Sequence, residues 1–292
     1  MPSFLKNTAG GKAISGGALQ PRGRRGNTNQ VASYWAGSTP PPDALVVTYG
    51  LQGGGGGTFS CAGDIYFSSG AAAGVFRTVT ITVTTNVNRT LPVVIGAGGG
   101  AAAVGASTTW NGITATGGNG SNRVACGGSN ADFSGNCSRL GGDYPCNGSG
   151  AVLDPGQGYG GGAGSHSNAC LNGSGGDGHY ETFTTVGTGI GGGGVVGPAA
   201  GAQMNASVAF GGATGTYGGA PQTAPANRGG GASGGGHPFT CVGGSGGSGR
   251  CYIKYLTADA LGLTITGGTK TFNGSFTVHD ITANTDLVIT RD

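Results

Sequence analysis

The sequence predicts a mainly β protein in which short strands frame a sandwich of polyglycine-II-type helices, with a β-hairpin at the C-terminus and little or no α-helix. Three observations carry this fold class. Glycine supplies 70 of the 292 residues, against 9% charged residues and 7% aromatics, so an ordinary core of large apolar side chains is thin. Between Gly156 and Gly249 the glycines come in clusters: Gly160 to Gly162, Gly191 to Gly194, Gly229 to Gly231, Gly234 to Gly236 and Gly243 to Gly247. Outside that stretch, short β-branched runs repeatedly deliver the chain into glycine. Glycine loses more backbone freedom on ordering than any other residue. An ordered chain that keeps such runs therefore needs an architecture in which the missing side chain is useful. Side-by-side polyproline-II-type helices are one, because bare glycine lets backbones approach within bonding distance. Glycine, serine and proline at this density without a strict period also describe disordered low-complexity chains. The low charge and the many Val, Ile and Thr clusters argue for order instead.

Three segments follow from the composition. Residues 1–43 form an extended arm or linker that ends in Ser38-Thr39-Pro40-Pro41-Pro42, a stiff extended run. Lys6, Lys12, Arg22, Arg24 and Arg25 stand there against Asp43, five basic groups minus one acidic; the remaining nine basic and ten acidic groups leave the rest of the chain near neutral. Arg22, Arg24, Arg25 and Trp35 are the residues expected to dock this arm on a partner. The Arg-Gly-Arg-Arg-Gly string is a single short copy of the kind found in nucleic-acid-binding tails, and docking on protein is the preferred reading.

Residues 44–256 form the glycine-rich body. Ala44 to Tyr49 is a short buried-strand pattern that runs into Gly50 and then Gly53 to Gly57. Thr78 to Thr84 alternates residue by residue, as a half-buried strand does. Leu91 to Ile95 ends at Gly96, Thr109 to Thr116 ends at Gly117, and Cys251 to Tyr255 leaves the last glycine run. In residues 257–292, two alternating runs, Ser275 to Ile281 and Asp286 to Thr290, flank a polar turn at Thr282 to Thr285 and read as a β-hairpin.

Several classes are disfavoured. No apolar run reaches the 18 residues of a membrane-spanning helix. The first residues lack the apolar core of a signal peptide, and seven cysteines, an odd number without a CxxC pair, suit a reducing compartment. The chain has one glutamate, Glu181, and four histidines. The nearest approach to a catalytic constellation is Asp177-Gly178-His179-Tyr180-Glu181, which reads as a surface loop, so the chain is not expected to be an enzyme. His166 and Cys170 have no second ligand pair at metal spacing, so neither a metal nor a cofactor is expected. At this glycine density, GxGxxG strings carry no information about dinucleotides.

Taken together, Leu45-Val46-Val47 before polyglycine, Val93-Val94-Ile95-Gly96-Ala97-Gly98-Gly99, Ile113-Thr114-Ala115-Thr116-Gly117-Gly118 and Gly246-Gly247-Ser248-Gly249-Arg250-Cys251-Tyr252-Ile253-Lys254-Tyr255 resemble the glycine-rich domain of bacteriophage tail-fibre and other virion proteins. The glycine-dense middle is also similar to the polyglycine-helix sandwich of distal adhesins on T-even-like long tail fibres. The likeness spans about residues 43–256, and the inserts between Asn130 and Asn172 have no counterpart in it. The C-terminal segment is similar to the lead-in that precedes the first strand of the same module. The expectation drawn from its position here is that it folds back to complete the sheet holding Ala44 to Tyr49, or that of a neighbouring subunit.

The resemblance implies a virion structural protein, a tail-fibre or tail-tip component assembled in the host cytoplasm. Its expected partners are other virion proteins, a host-surface receptor and further copies of itself, with no small-molecule substrate and no nucleic acid. Other virion decoration or capsid-associated proteins, and a glycine-rich RNA-binding protein using the basic arm, are the alternatives. Tyr144, Tyr159, His166, His179, Tyr180, Phe183, Tyr217, His237 and Phe239 concentrate in the inserts between glycine runs. Aromatics on loops held by a rigid scaffold make recognition surfaces, and they also cap and dry the layers beneath them.

Overall fold

The computed structural model describes residues 41–58, 70–120, 178–194, 211–214, 222–234 and 243–292. These hold twelve strands and one short 3-10 turn at Thr257–Ala260. One five-stranded antiparallel sheet has the order β10-β11-β8-β1-β2, made of Thr269–Asn273, Phe276–Ile281, Arg250–Leu256, Ala44–Gln52 and Phe76–Thr84. The other has the order β5-β4-β3-β12-β9, made of Ile113–Ala115, Thr108–Trp110, Arg89–Val94, Thr285–Arg291 and Leu263–Thr266. A two-stranded ribbon pairs β6, His179–Tyr180, with β7, Gly189–Ile190.

Strand alternation builds the core. Leu45, Val47, Tyr49 and Leu51 of β1 point one way and are buried, while Ala44 and Val46 point out. They meet Cys251, Ile253 and Tyr255 of β8 and Ile281 of β11 from the same sheet. Val93, Trp110, Ala115, Leu263, Ile265, Leu287 and Ile289 of the second sheet close over them. The result is a β-sandwich whose two inner faces share one apolar layer. Tyr49 and Trp110 meet edge to face across that layer, with ring centroids 4.7 Å apart.

At one end of the sandwich the strands give way to glycine-rich segments that bond one another through their backbones. Gly53 and Gly56 donate to the carbonyls of Val75 and Ala72, Gly54 and Gly57 to those of Ala106 and Ala103, and Gly55 and Thr58 to those of Gly247 and Gly244, all at 2.8–3.0 Å. Gly247 in turn donates to Gly230, and Gly231 to Gly192. Buried N–H groups that belong to no strand ladder are satisfied sideways in this way. Gln52, buried at the end of β1, ties the layer to the sheet by donating from Nε2 to the carbonyl of Gly74 at 2.8 Å.

Two parts of the expected fold are corrected. Among the described residues there is no glycine-helix sandwich: they are all-β, two large antiparallel sheets, and their glycine runs form neither helix nor strand. The reason is that the β-branched segments on either side of the glycines carry enough apolar surface to make sheets of their own, and those sheets enclose the core. Nor do residues 257–292 end in the expected hairpin. The strands on either side of the turn at 282–284 enter different sheets, β11 pairing with β8 and β12 running between β3 and β9. Ile281 before the turn and Leu287 and Ile289 after it all face the shared core, which a crossover between facing sheets allows. The hairpin that does form is β10–β11, turning through Gly274 at φ 60°. The C-terminal segment does fold back onto the sheet that holds β1, as expected, but its strands β10 and β11 add beside β8 rather than directly beside β1, which lies between β2 and β8.

Candidate recognition site

The outer face of the first sheet carries a second, smaller core of Phe76, Phe183, Ile190, Tyr252 and Val278. The ribbon β6–β7 and its loop cover it. Phe183 stacks on Tyr252 with centroids 5.4 Å apart and meets Phe76 edge to face at 6.4 Å. The Lys254 ammonium lies between the Phe183 and Phe276 rings, 5.1 and 5.2 Å from their centroids, and the Arg250 guanidinium lies 4.8 Å over Tyr252 while pairing with the Asp280 carboxylate. Cations over aromatic faces add attraction to the packing.

Glu181 organises the loop above this cluster. It is 2% exposed, and its carboxylate accepts from the Phe183 N–H at 2.5 Å, the Thr184 N–H at 3.0 Å, the Thr188 N–H at 2.8 Å and the Thr184 hydroxyl. A buried carboxylate is stable only when hydrogen bonds replace its water, and here the loop closes around it to supply them. Asn273 on β10 holds the same loop from outside, donating from Nδ2 to the Phe183 carbonyl at 3.0 Å. What the loop presents is apolar: Tyr180 is 53% exposed and Val186, at its tip, 93% exposed.

The nine aromatic and histidine positions expected to form a recognition surface divide accordingly. Tyr180 is exposed, His179 is half-buried and stacked on Phe76 at 5.9 Å, and Phe183, 1% exposed, is a packing residue. Tyr144, Tyr159, His166, Tyr217, His237 and Phe239 lie outside the described residues, as do Arg22, Arg24, Arg25 and Trp35 of the arm. The structure therefore brings together three of the nine. Sequence reading missed Val186 because an isolated valine in a Thr-rich stretch has no distinguishing pattern. It had Glu181 in view, the one glutamate of the chain, without the loop that surrounds it. Among the described residues there is no group of three or more His, Cys, Asp or Glu placed to hold a metal ion, and no helix is long and apolar enough to cross a membrane.

A second buried polar pair sits inside the sandwich. His279, on the core face of β11, contacts the Gly267 carbonyl from Nδ1 at 2.7 Å and the Tyr255 hydroxyl from Nε2 at 3.0 Å. A carbonyl can only accept, so Nδ1 carries the proton and Nε2 of the neutral ring accepts from Tyr255. Burial holds the His279 pKa below its ordinary value; the Gly267 hydrogen bond opposes this and Lys270 reinforces it. Burial lowers His179 as well, against the nearby Glu181. Burial also pushes the Tyr255 hydroxyl up to about 12. Both histidines thus bind a proton less readily folded than unfolded. Their contribution to stability is complete above the unfolded value of about 6.5 and is lost as pH falls through that value toward the folded one. Thermal melts should show a lower Tm at about pH 5 than at about pH 7.5, with the slope reduced in His279→Gln. A Tm unchanged across that interval would contradict this account.

Among the described residues, fold and loop together define an all-β architecture built on a backbone-bonded glycine layer, with a carboxylate-anchored loop on one outer face. The chain belongs to the Glycine-rich domain family, which matches it over residues 31–256. No match is found among curated proteins or among solved structures.

Proposed function

We propose that the chain is a bacteriophage virion structural protein, a tail-fibre or tail-tip component that docks through residues 1–43 and contacts the host surface through the loops between its glycine runs. The observation that carries the reading is the loop Glu181–Thr188. A buried carboxylate with four hydrogen bonds fixes its backbone, and fixed backbone presents Tyr180 and Val186 to solvent without the ordering cost of a mobile loop. Membership of the glycine-rich domain family supports a scaffold built on glycine, and the virion setting rests on the resemblance of the strand-then-glycine order to that of phage virion proteins. In this reading Arg22, Arg24, Arg25 and Trp35 engage another virion protein, and the exposed aromatic and aliphatic tips engage a host receptor.

Two measurements test it. Mass spectrometry and gold-labelled antibody on purified particles should place the chain at the tail, and its absence from particles would overturn the reading. Binding of the purified chain to host cells should fall about tenfold or more in Tyr180→Ala/Val186→Ser, since exposed anchors carry most of the energy of such contacts. Binding to RNA that weakens steeply with salt, without binding to cells, would instead favour a nucleic-acid role for the arm.

A further inference from the structure

We propose that two copies of this chain pair edge to edge through β2, antiparallel about Thr80, so that the first sheets of both copies become one continuous sheet. The two sheets of the sandwich end in four strands, and three of these carry the usual protection of a sheet edge. β5 has 3 residues and β9 has 4, and β10 has 5 with Lys270 among them. Shortness and lysine are how natural sheets avoid unwanted pairing. β2 has neither. It is 9 residues long, pairs with β1 along its whole length from Ala44↔Thr84 to Gln52↔Phe76, and among the described residues no strand pairs with its other side.

From Thr78 to Thr84 the strand holds no charge, glycine or proline, and it alternates threonine with valine or isoleucine. A long, β-branched edge that no described strand covers invites another strand. The second copy is the occupant that fits, because the sequence is its own complement. Antiparallel pairing about Thr80 sets Thr78 opposite the partner's Thr82 and Val79 opposite the partner's Ile81. On the outer face, Thr78, Thr80 and Thr82 are exposed, and a threonine ladder has already begun within the chain, where the hydroxyls of Thr48 and Thr80 lie 2.9 Å apart. On the inner face, Val79 and Ile81 are only half-buried against the main core, and the partner's Ile81 and Val79 would cover them. Cross-strand threonine pairs and β-branched pairs are the contacts that stabilise sheets. One two-fold axis through Thr80 satisfies both faces at once, which is the symmetry of a closed dimer.

The proposal stands independently of the virion reading and is tested on the full chain by sedimentation equilibrium. The wild-type chain should dimerise. Thr78→Lys/Thr82→Lys places like charges opposite each other twice and should raise the dimer Kd about tenfold or more, with the far-UV spectrum unchanged because both positions are exposed. Thr78→Lys/Thr82→Glu changes the same positions but sets opposite charges across the axis, and should keep the dimer. A wild-type chain that stays monomeric at every concentration overturns the proposal. So does a dimer indifferent to the double lysine variant, or equal weakening by both double variants.

Discussion

Alanine in place of Gly230 is expected to unfold the glycine layer, while the same change at Gly100 leaves the protein at wild-type stability. A Cβ on Gly230 would fall inside the carbonyl oxygen of Gly211, and the obstruction is backbone rather than a side chain that could swing aside. Gly230 cannot retreat, since its own carbonyl accepts from Gly247 at 2.9 Å and its neighbour Gly231 donates to Gly192 at 3.0 Å. Relief would break several buried backbone hydrogen bonds together. The cost should be about 4 kcal/mol or more, beyond the range of ordinary point substitutions. At Gly100 an added methyl meets no atom within 4 Å and the residue is exposed, so the change should stay within about 0.5 kcal/mol. Denaturant unfolding of the two variants measures the difference. Similar stability for both would show that close backbone packing is not what holds the layer.

Truncation after Leu256 should have a still larger effect, namely an insoluble chain without a cooperative melt. The deleted residues include β12, which lies inside the second sheet between β3 and β9, and β11, which lies inside the first between β8 and β10. Val278, Ile281, Leu287 and Ile289, all fully buried, would be lost together. Each contributes about 1.5–3 kcal/mol by burial. Four of them match the whole net stability of a domain, about 5–15 kcal/mol. The cut also exposes Ile253 and Tyr255 of β8 and Val93 of β3 on sheet edges open to pairing with other chains. Leu287→Ala is the graded version, expected to cost about 2–5 kcal/mol and to leave a folded protein with a lowered Tm. A truncated chain that remains soluble and melts like the wild type would mean that the C-terminal strands are accessory.

Much of the candidate site was beyond the reach of sequence. The pattern of aromatics between glycine runs pointed to His179, Tyr180 and Phe183, and all three do gather at one loop. Their separate fates depend on which side of the ribbon faces the sheet. Phe183 turns inward because Tyr252 and Phe76, distant in sequence, offer it an apolar bed, and Tyr180 turns outward. Glu181 could have been a solvated loop residue or a reactive group. Its burial beneath four hydrogen bonds is a property of the closed loop and has no signature at the level of residue spacing.

The strands themselves were legible. Thr78 to Thr84 alternates in sequence as β2 does in burial, because a period of two is a local property of extended chain, and the apolar runs at Ala44 to Tyr49 and Cys251 to Tyr255 are the buried strands β1 and β8. The delivery of strands into glycine was equally local, and it marks the end of the sandwich where backbone replaces side chain as the packing surface. Partner choice was not local. Alternation says which residues turn inward but not which strand lies alongside, and so β8 beside β1, β11 beside β8 and β12 beside β3 were decided only by how their inward residues pack in the shared core. β11 shows the reason most directly. Ile281 requires the core between the sheets and Val278 requires the cluster beneath the Glu181 loop, so β11 has to lie where both exist, next to β8.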